Sequence, residues 1–319
     1  MGVFHLSGLG LNPGAVTVPL TYIYFLLKQS KEGDPASQQF FAYSGEKQER
    51  LKGKPEALIF FTSKEVITGK FQREISDELF RTKKQGSACL TISEYISNMI
   101  KSLRLSNDLY GRYGVKYLYA IEVNINDFGD CYKKIYLTMK GLEDKEIECN
   151  LIGGTNQINL SLMLAGSMTG VTSRLYYVFE KEEDVRKGGM GPVSITSTNQ
   201  QLSVPPSNWY EMPPLFVSLG DLIKGLEGLG ITYSPVNIEQ VKGLLRKLNL
   251  QEQFLAKLRG TWLTLESDRA EAGPLLRDIF KLHKGLEEET QNVKNFSEWS
   301  RYFEEKKYLH KFIKDGKQV

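Results

Sequence analysis

The chain has 319 residues, 41% hydrophobic and 25% charged, which suits one or two ordinary globular domains. Lys and Arg number 41 against 38 Asp and Glu, so a net charge of +3 gives no bulk-charge case for a polyanion; only local clusters could give one. Cys89, Cys131 and Cys149 form no CxxC pair and only three histidines occur (His5, His283, His310), so no disulfide framework, metal centre or cofactor is expected, and a reducing, cytoplasmic setting fits.

The start MGVFHLSGLG lacks the basic end and long apolar run of a signal peptide. Val3 to Leu9 reads as a short buried strand and Gly14 to Leu27 as a helix. Its apolar part from Val16 is about 12 residues, too short for a bilayer, so no membrane partner is expected. Phe40 to Tyr43 and Ala57 to Thr62 read as strands, Leu90 to Leu103 as a helix, and Lys116 to Val123 as a strand. From Phe128 to Leu142, Tyr132, Ile135, Tyr136 and Met139 share one helical face. Glu148 to Ile152, a helix from Gln157 to Met168, and the strand Arg174 to Phe179 follow. Such alternation predicts an α/β, Rossmann-like, doubly wound and mostly parallel sheet over residues 1–180, with its strand order open.

Composition then shifts. Residues 181–235, charged and then Pro- and Ser-containing, read as a linker or crossing arm. Residues 236–319 read as mainly helical. Val241, Leu244, Leu245 and Leu248 share a face, Phe254, Leu255 and Leu258 follow, and Trp262 to Leu265 looks like a short strand before another helix. That order predicts a winged helix-turn-helix, closed by one amphipathic helix from Asn292 to Lys314.

Two glycine-marked turns follow strands in the first domain: GLGLNPGAVT (Gly8 to Thr17) and IGGTNQINLS (Ile152 to Ser161). Glycine lets backbone approach a ligand, and free N–H groups at a helix start attract phosphate. Both turns are therefore expected at one crevice beyond the strands' carboxyl ends. The first is GxGxxxG rather than the dinucleotide GxGxxG, with Tyr43 and Ser44 where a ribose-binding acid would close a second strand. No GxxxxGK[ST] occurs, so P-loop chemistry is not expected either.

Three motifs at successive strand ends, GLNPG (Gly10 to Gly14), TSKE (Thr62 to Glu65) and GGTNQI (Gly153 to Ile158), together resemble the CRISPR-associated Rossmann fold (CARF) domain over about the first 180 residues. The resemblance implies a homodimer binding cyclic tetra-adenylate, or hexa-adenylate, across its twofold axis during type III CRISPR defence. Its ligand residues would be Gly10, Leu11, Asn12, Gly14, Thr62, Ser63, Gly153, Gly154, Thr155, Asn156 and Gln157. Members with ring-nuclease activity cleave the ring without metal, through attack of a ribose 2′-OH on its own phosphate. Asn12, Ser63, Lys64 and Asn156 would there orient the ribose and stabilise the phosphorane charge. Asn156 stands where relatives often carry Lys or Arg, leaving Lys64 or the Arg186/Lys187 pair to supply charge. His5 lies inside a strand and is expected to be packed.

Two alternatives stay open. Lys242, Arg246, Lys247, Lys257 and Arg259 suit a ligand-responsive transcription regulator binding DNA, although Glu239, Glu252, Glu266 and Asp268 interrupt the basic face. Arg277 and His283 match the spacing of a HEPN ribonuclease, whereas EEKK (Glu304 to Lys307) lacks the strand that a metal nuclease of the PD-(D/E)xK type would place before it.

Overall fold

A computed structural model describes residues 2–11, 13–42, 53–69, 87–105, 113–178, 209–212, 285–286 and 288–319. The strands are β1 (Val3–Gly8), β2 (Pro55–Thr62), β3 (Tyr117–Glu122), β4 (Glu146–Asn150), β5 (Thr172–Val178), β6 (Trp209–Met212), β7 (Leu309–Lys314) and β8 (Lys317–Gln318). They form one sheet in the order β6-β5-β4-β1-β2-β3-β7-β8. The inner five pair in parallel, while β6 and β7 run antiparallel on their flanks. The inner order is thus 3-2-1-4-5, that of a doubly wound sheet. Continuous apolar runs such as Ala57 to Phe61, all buried, follow from burial on both faces.

Helices α1 (Gly14–Lys31), α2 (Pro35–Ala42), α3 (Lys64–Thr68) and α4 (Ala88–Ser102) connect β1 to β2 and β2 to β3. They cover one face, where Leu58, Phe60, Leu118 and Ala120 meet Ile23, Leu27 and Ile92. Helices α5 (Phe128–Gly141), α6 (Asn156–Thr169) and α7 (Phe296–Glu305) cover the other, where Phe4, Leu6, Ile59 and Phe61 meet Ile135, Leu162 and Trp299. The first crossovers therefore lie on one side and the later ones on the opposite side.

Two expectations are corrected. Phe40 and Phe41 end helix α2 rather than forming a strand. Asp34 accepts the Ser37 N–H at 2.8 Å and Pro35 opens the helix, a local start signal that outweighs a short aromatic run. The tail is not one helix to Lys314. Helix α7 ends at Glu305, Lys307 turns at φ 59°, and Leu309 to Lys314 pairs antiparallel with β3. Asp315 (φ 51°) and Gly316 (φ 76°) then reverse the chain into β8. Asp-Gly with both residues at positive φ is the hairpin turn that matches strand twist. EEKK closes α7 and its turn. The winged-helix expectation, its basic residues, the Arg277/His283 pair, Arg186 and Lys187 lie outside the described residues, as does Asn12.

Candidate ligand site at the sheet's carboxyl edge

Because β1 and β4 are neighbours whose connections leave toward opposite faces, a crevice opens between their carboxyl ends. The two glycine-marked loops meet there. A Cβ on Gly8 would stand 2.3 Å from the Gly153 carbonyl oxygen, and one on Gly153 would stand 2.0 Å from the Gly8 oxygen. Gly154, at φ 81°, completes the contact 2.8 Å from the Gly8 Cα by the same measure. These glycines are demanded by backbone-on-backbone packing. Gly10 is different: a Cβ there would meet nothing within 4 Å among the described residues, which leave room there for an incoming molecule.

Side chains tie the loops to the strands. Thr62, fully buried at the end of β2, donates its hydroxyl to the Leu9 carbonyl at 2.5 Å. Asn150, the last residue of β4 and buried, donates its amide to the Ala15 carbonyl at 3.0 Å and accepts the Ile152 N–H at 3.0 Å. One carboxamide thereby bridges the start of α1 and the entry to the GGT loop. Helix α6 has no side-chain hydrogen bond from its N-cap, Thr155, and no acidic residue in its first turn. By contrast, Asp127 and Asn295 cap α5 and α7 with side-chain oxygens. The start of α6 at the β1/β4 crevice thus keeps N–H groups and a positive dipole end without a side-chain acceptor among the described residues. The Thr155 hydroxyl oxygen, at the α6 N-cap, is buried without a hydrogen-bond partner among the described residues.

The remaining expected residues line the rim. Leu11, Lys64 and Asn156 are exposed, while Ser63 and Gln157 are half-buried. Glu65 is held below the usual carboxylate range by its own backbone N–H and then by a hydrogen bond from Ser63, so the Ser63 hydroxyl is engaged locally. Lys64 is the only cation among these rim residues.

Below the crevice a polar row crosses the α1 face of the sheet. His5 Nε2 lies 3.7 Å from Glu148, and Arg174 reaches Glu148 at 3.4 Å and Glu211 at 3.0 Å. Arg174 also donates to the Phe40 carbonyl at 2.9 Å, stitching β4, β5, β6 and α2 together. His5 is buried, and burial followed by Arg174 drives it down to about 3, so it stays neutral. Its packed role is as expected. Burial likewise pushes Cys89 and Cys149 up to about 12, which keeps both thiols protonated.

Periodicity missed Asn150 and Thr62 as braces. Their signal is a polar residue ending an apolar strand just before a glycine turn. It also missed His310, which β7 carries to 3.3 Å from Glu122, the register partner of Thr62.

No family model matches the chain. An uncharacterized protein of Archaeoglobus fulgidus is 33% identical over 290 residues, covering 88% of this chain and 90% of that protein. Among solved structures, Enterococcus italicus Csm6 bound to cyclic hexa-2′-fluoro-hexa-dAMP shows 14% identity and a TM-score of 0.37 over 89% of this chain. This chain spans about half, 53%, of the length of that Csm6 chain.

Proposed function

The chain belongs to the family of the Archaeoglobus fulgidus protein, and we propose that it is a CARF-type receptor that binds a cyclic oligoadenylate at the β1/β4 crevice. The observation that carries this is the meeting of two loops at the switch point, locked by Gly8 on Gly153 and flanked by the start of α6, whose N-cap Thr155 makes no capping hydrogen bond. Such a helix start suits a phosphate of a ring, and exposed Leu11 offers apolar surface to a base. Helix α6 contains no charged residue and exposes Leu160, which supports a homodimer packed along it with the ring shared between two copies.

Slow, metal-independent cleavage is the activity proposed at the same site. A ribose 2′-OH attacks the adjacent phosphorus, the 5′-oxygen of the next nucleotide leaves and takes up a proton, and a 2′,3′-cyclic phosphate remains. Lys64 would balance the developing charge, with Ser63 and Asn156 orienting the ribose. The test is incubation of purified protein with labelled cyclic tetra- and hexa-adenylate in EDTA, reading binding and products together. Tight binding with linear cyclic-phosphate product is expected. An intact ring bound tightly leaves a sensor without nuclease activity, and absence of binding to either ring overturns the proposal.

A further inference from the structure

Helix α1 carries Pro19 in its interior, and proline has no N–H to give the carbonyl four residues earlier. That carbonyl belongs to Ala15. It is the same oxygen that the Asn150 amide reaches from the end of β4, at 3.0 Å. The other end of the carboxamide accepts the Ile152 N–H, which fixes which atom is oxygen and which is nitrogen. A defect in one element is thus filled by the neighbouring strand, two residues before the GGT loop begins. An unmet carbonyl in a helix is costly, and a side-chain donor from elsewhere is one of the few remedies.

We propose that Asn150 is a positioning residue, which sets the start of α1 and the GGT loop in one fixed relation by filling the helix position that Pro19 vacates. This rests on the ligand site proposed above. Three observations carry it: both hydrogen bonds are formed, Asn150 is buried, and the Gly8–Gly153 contact lies directly beyond it. The Gly8–Gly153 contact is backbone on backbone, with the Ser7 hydroxyl donating to the Gly8 carbonyl beside it, so its closeness depends on how α1 and β4 are spaced.

The test separates satisfying a carbonyl from positioning a loop. Pro19→Ala restores a backbone donor for Ala15, so the double variant Pro19→Ala/Asn150→Ala is expected to recover the thermal stability that Asn150→Ala alone loses. Its affinity for cyclic tetra-adenylate is expected to stay at least about tenfold weaker than wild type, since the link to Ile152 is still absent. Affinity recovering together with stability would make Asn150 merely structural and overturn the proposal.

Asn150→Asp supplies a second arm. The neutral acid can donate to Ala15 and accept from Ile152 as the amide does, whereas the carboxylate sets two acceptors against each other. Its affinity is expected to fall at least about tenfold from pH 5 to pH 8 relative to wild type. His5, Glu148, Arg174 and Glu211 lie on the same face, so Glu148→Gln is run beside it as control. A parallel profile for Asn150→Asp and wild type would count against positioning.

Amide exchange at residues 153–157 of the free double variant makes the outcome independent of ligand identity. Exchange at least about tenfold faster there, with α5 unchanged, is expected. If wild type binds no cyclic oligoadenylate, the ligand reading fails alone; unchanged exchange removes the positioning role itself.

Discussion

Gly8 of β1 and Gly153 of the β4–α6 loop touch through their backbones so closely that a methyl group on either would lie within 2.3 Å of the other's carbonyl oxygen. Gly8→Ala therefore forces the loops apart. It should cost about 1–3 kcal/mol of stability and abolish measurable ring binding. Gly10→Ala, whose Cβ meets nothing within 4 Å among the described residues, should change stability by less than about 0.5 kcal/mol yet weaken binding, because the added carbon occupies the space left for ligand. Urea unfolding and titration with cyclic tetra-adenylate, done on both variants, check the contrast. Equal affinity in Gly10→Ala and wild type would place the ligand elsewhere.

Lys64 is exposed and is the one cation among the described rim residues. Binding should accordingly show a shallow salt dependence, and Lys64→Ala should lower the slope of log affinity against log salt by about 0.7, the value for one single-strand phosphate contact. Titrations between low and high salt measure it. A slope unchanged by the substitution would leave the phosphates to backbone N–H groups alone.

The buried row makes opposed contributions to stability. His5 is lowered by burial and Arg174 to about 3 from 6.5; the unfolded chain takes up that proton first, so stability is lost as pH falls from about 6.5 toward 3. Glu148 is raised by burial to about 7 from 4.5, against the pull of Arg174; its contribution is full below 4.5 and lost as pH rises through 7. Between 4.5 and 6.5 the two slopes oppose each other. In Glu148→Gln only the histidine slope survives. The melting temperature of the variant minus that of wild type should therefore climb with pH across 4.5 to 7. A flat difference curve would mean that Glu148 ionises in the fold as it does in the open chain.

The Asp315–Gly316 turn holds β7 and β8, and β7 covers the edge of β3. Gly316→Val puts a branched side chain at φ 76° and should cost about 1–2 kcal/mol, whereas Gly316→Asn should be nearly neutral. Urea midpoints of the two variants decide this. Equal loss in both would show that the side chain's bulk, not its backbone preference, matters at this position.

The parallel part of the sheet was legible because short apolar, β-rich segments alternate with helical patterns, most plainly at Ala57 to Phe61, where burial on two faces demands an unbroken apolar run. The helices α5 and α6 were legible from their spacing. Phe40 and Phe41 misled because a pair of aromatic residues suits a strand and a helix end equally well; the Asp34-Pro35 start signal, local but overlooked, decided the matter. The tail misled for a related reason. Lys306 and Lys307 look like the continuing polar face of a helix, and the Asp-Gly hairpin signal stood just past the boundary drawn at Lys314.

The sequence by itself determined the α/β class, the glycine turns at the ends of β1 and β4, and the packing of His5 inside a strand. Each follows from residue type and spacing over a few turns of chain. The tertiary structure alone decided that the two glycine turns touch, that Asn150 fills the gap left by Pro19, and that β7 joins β3. Those pairings link residues far apart in sequence, and their free energy depends on which strands become neighbours. Strand order is settled by the burial of whole helices on two faces, so local periodicity carries no record of it.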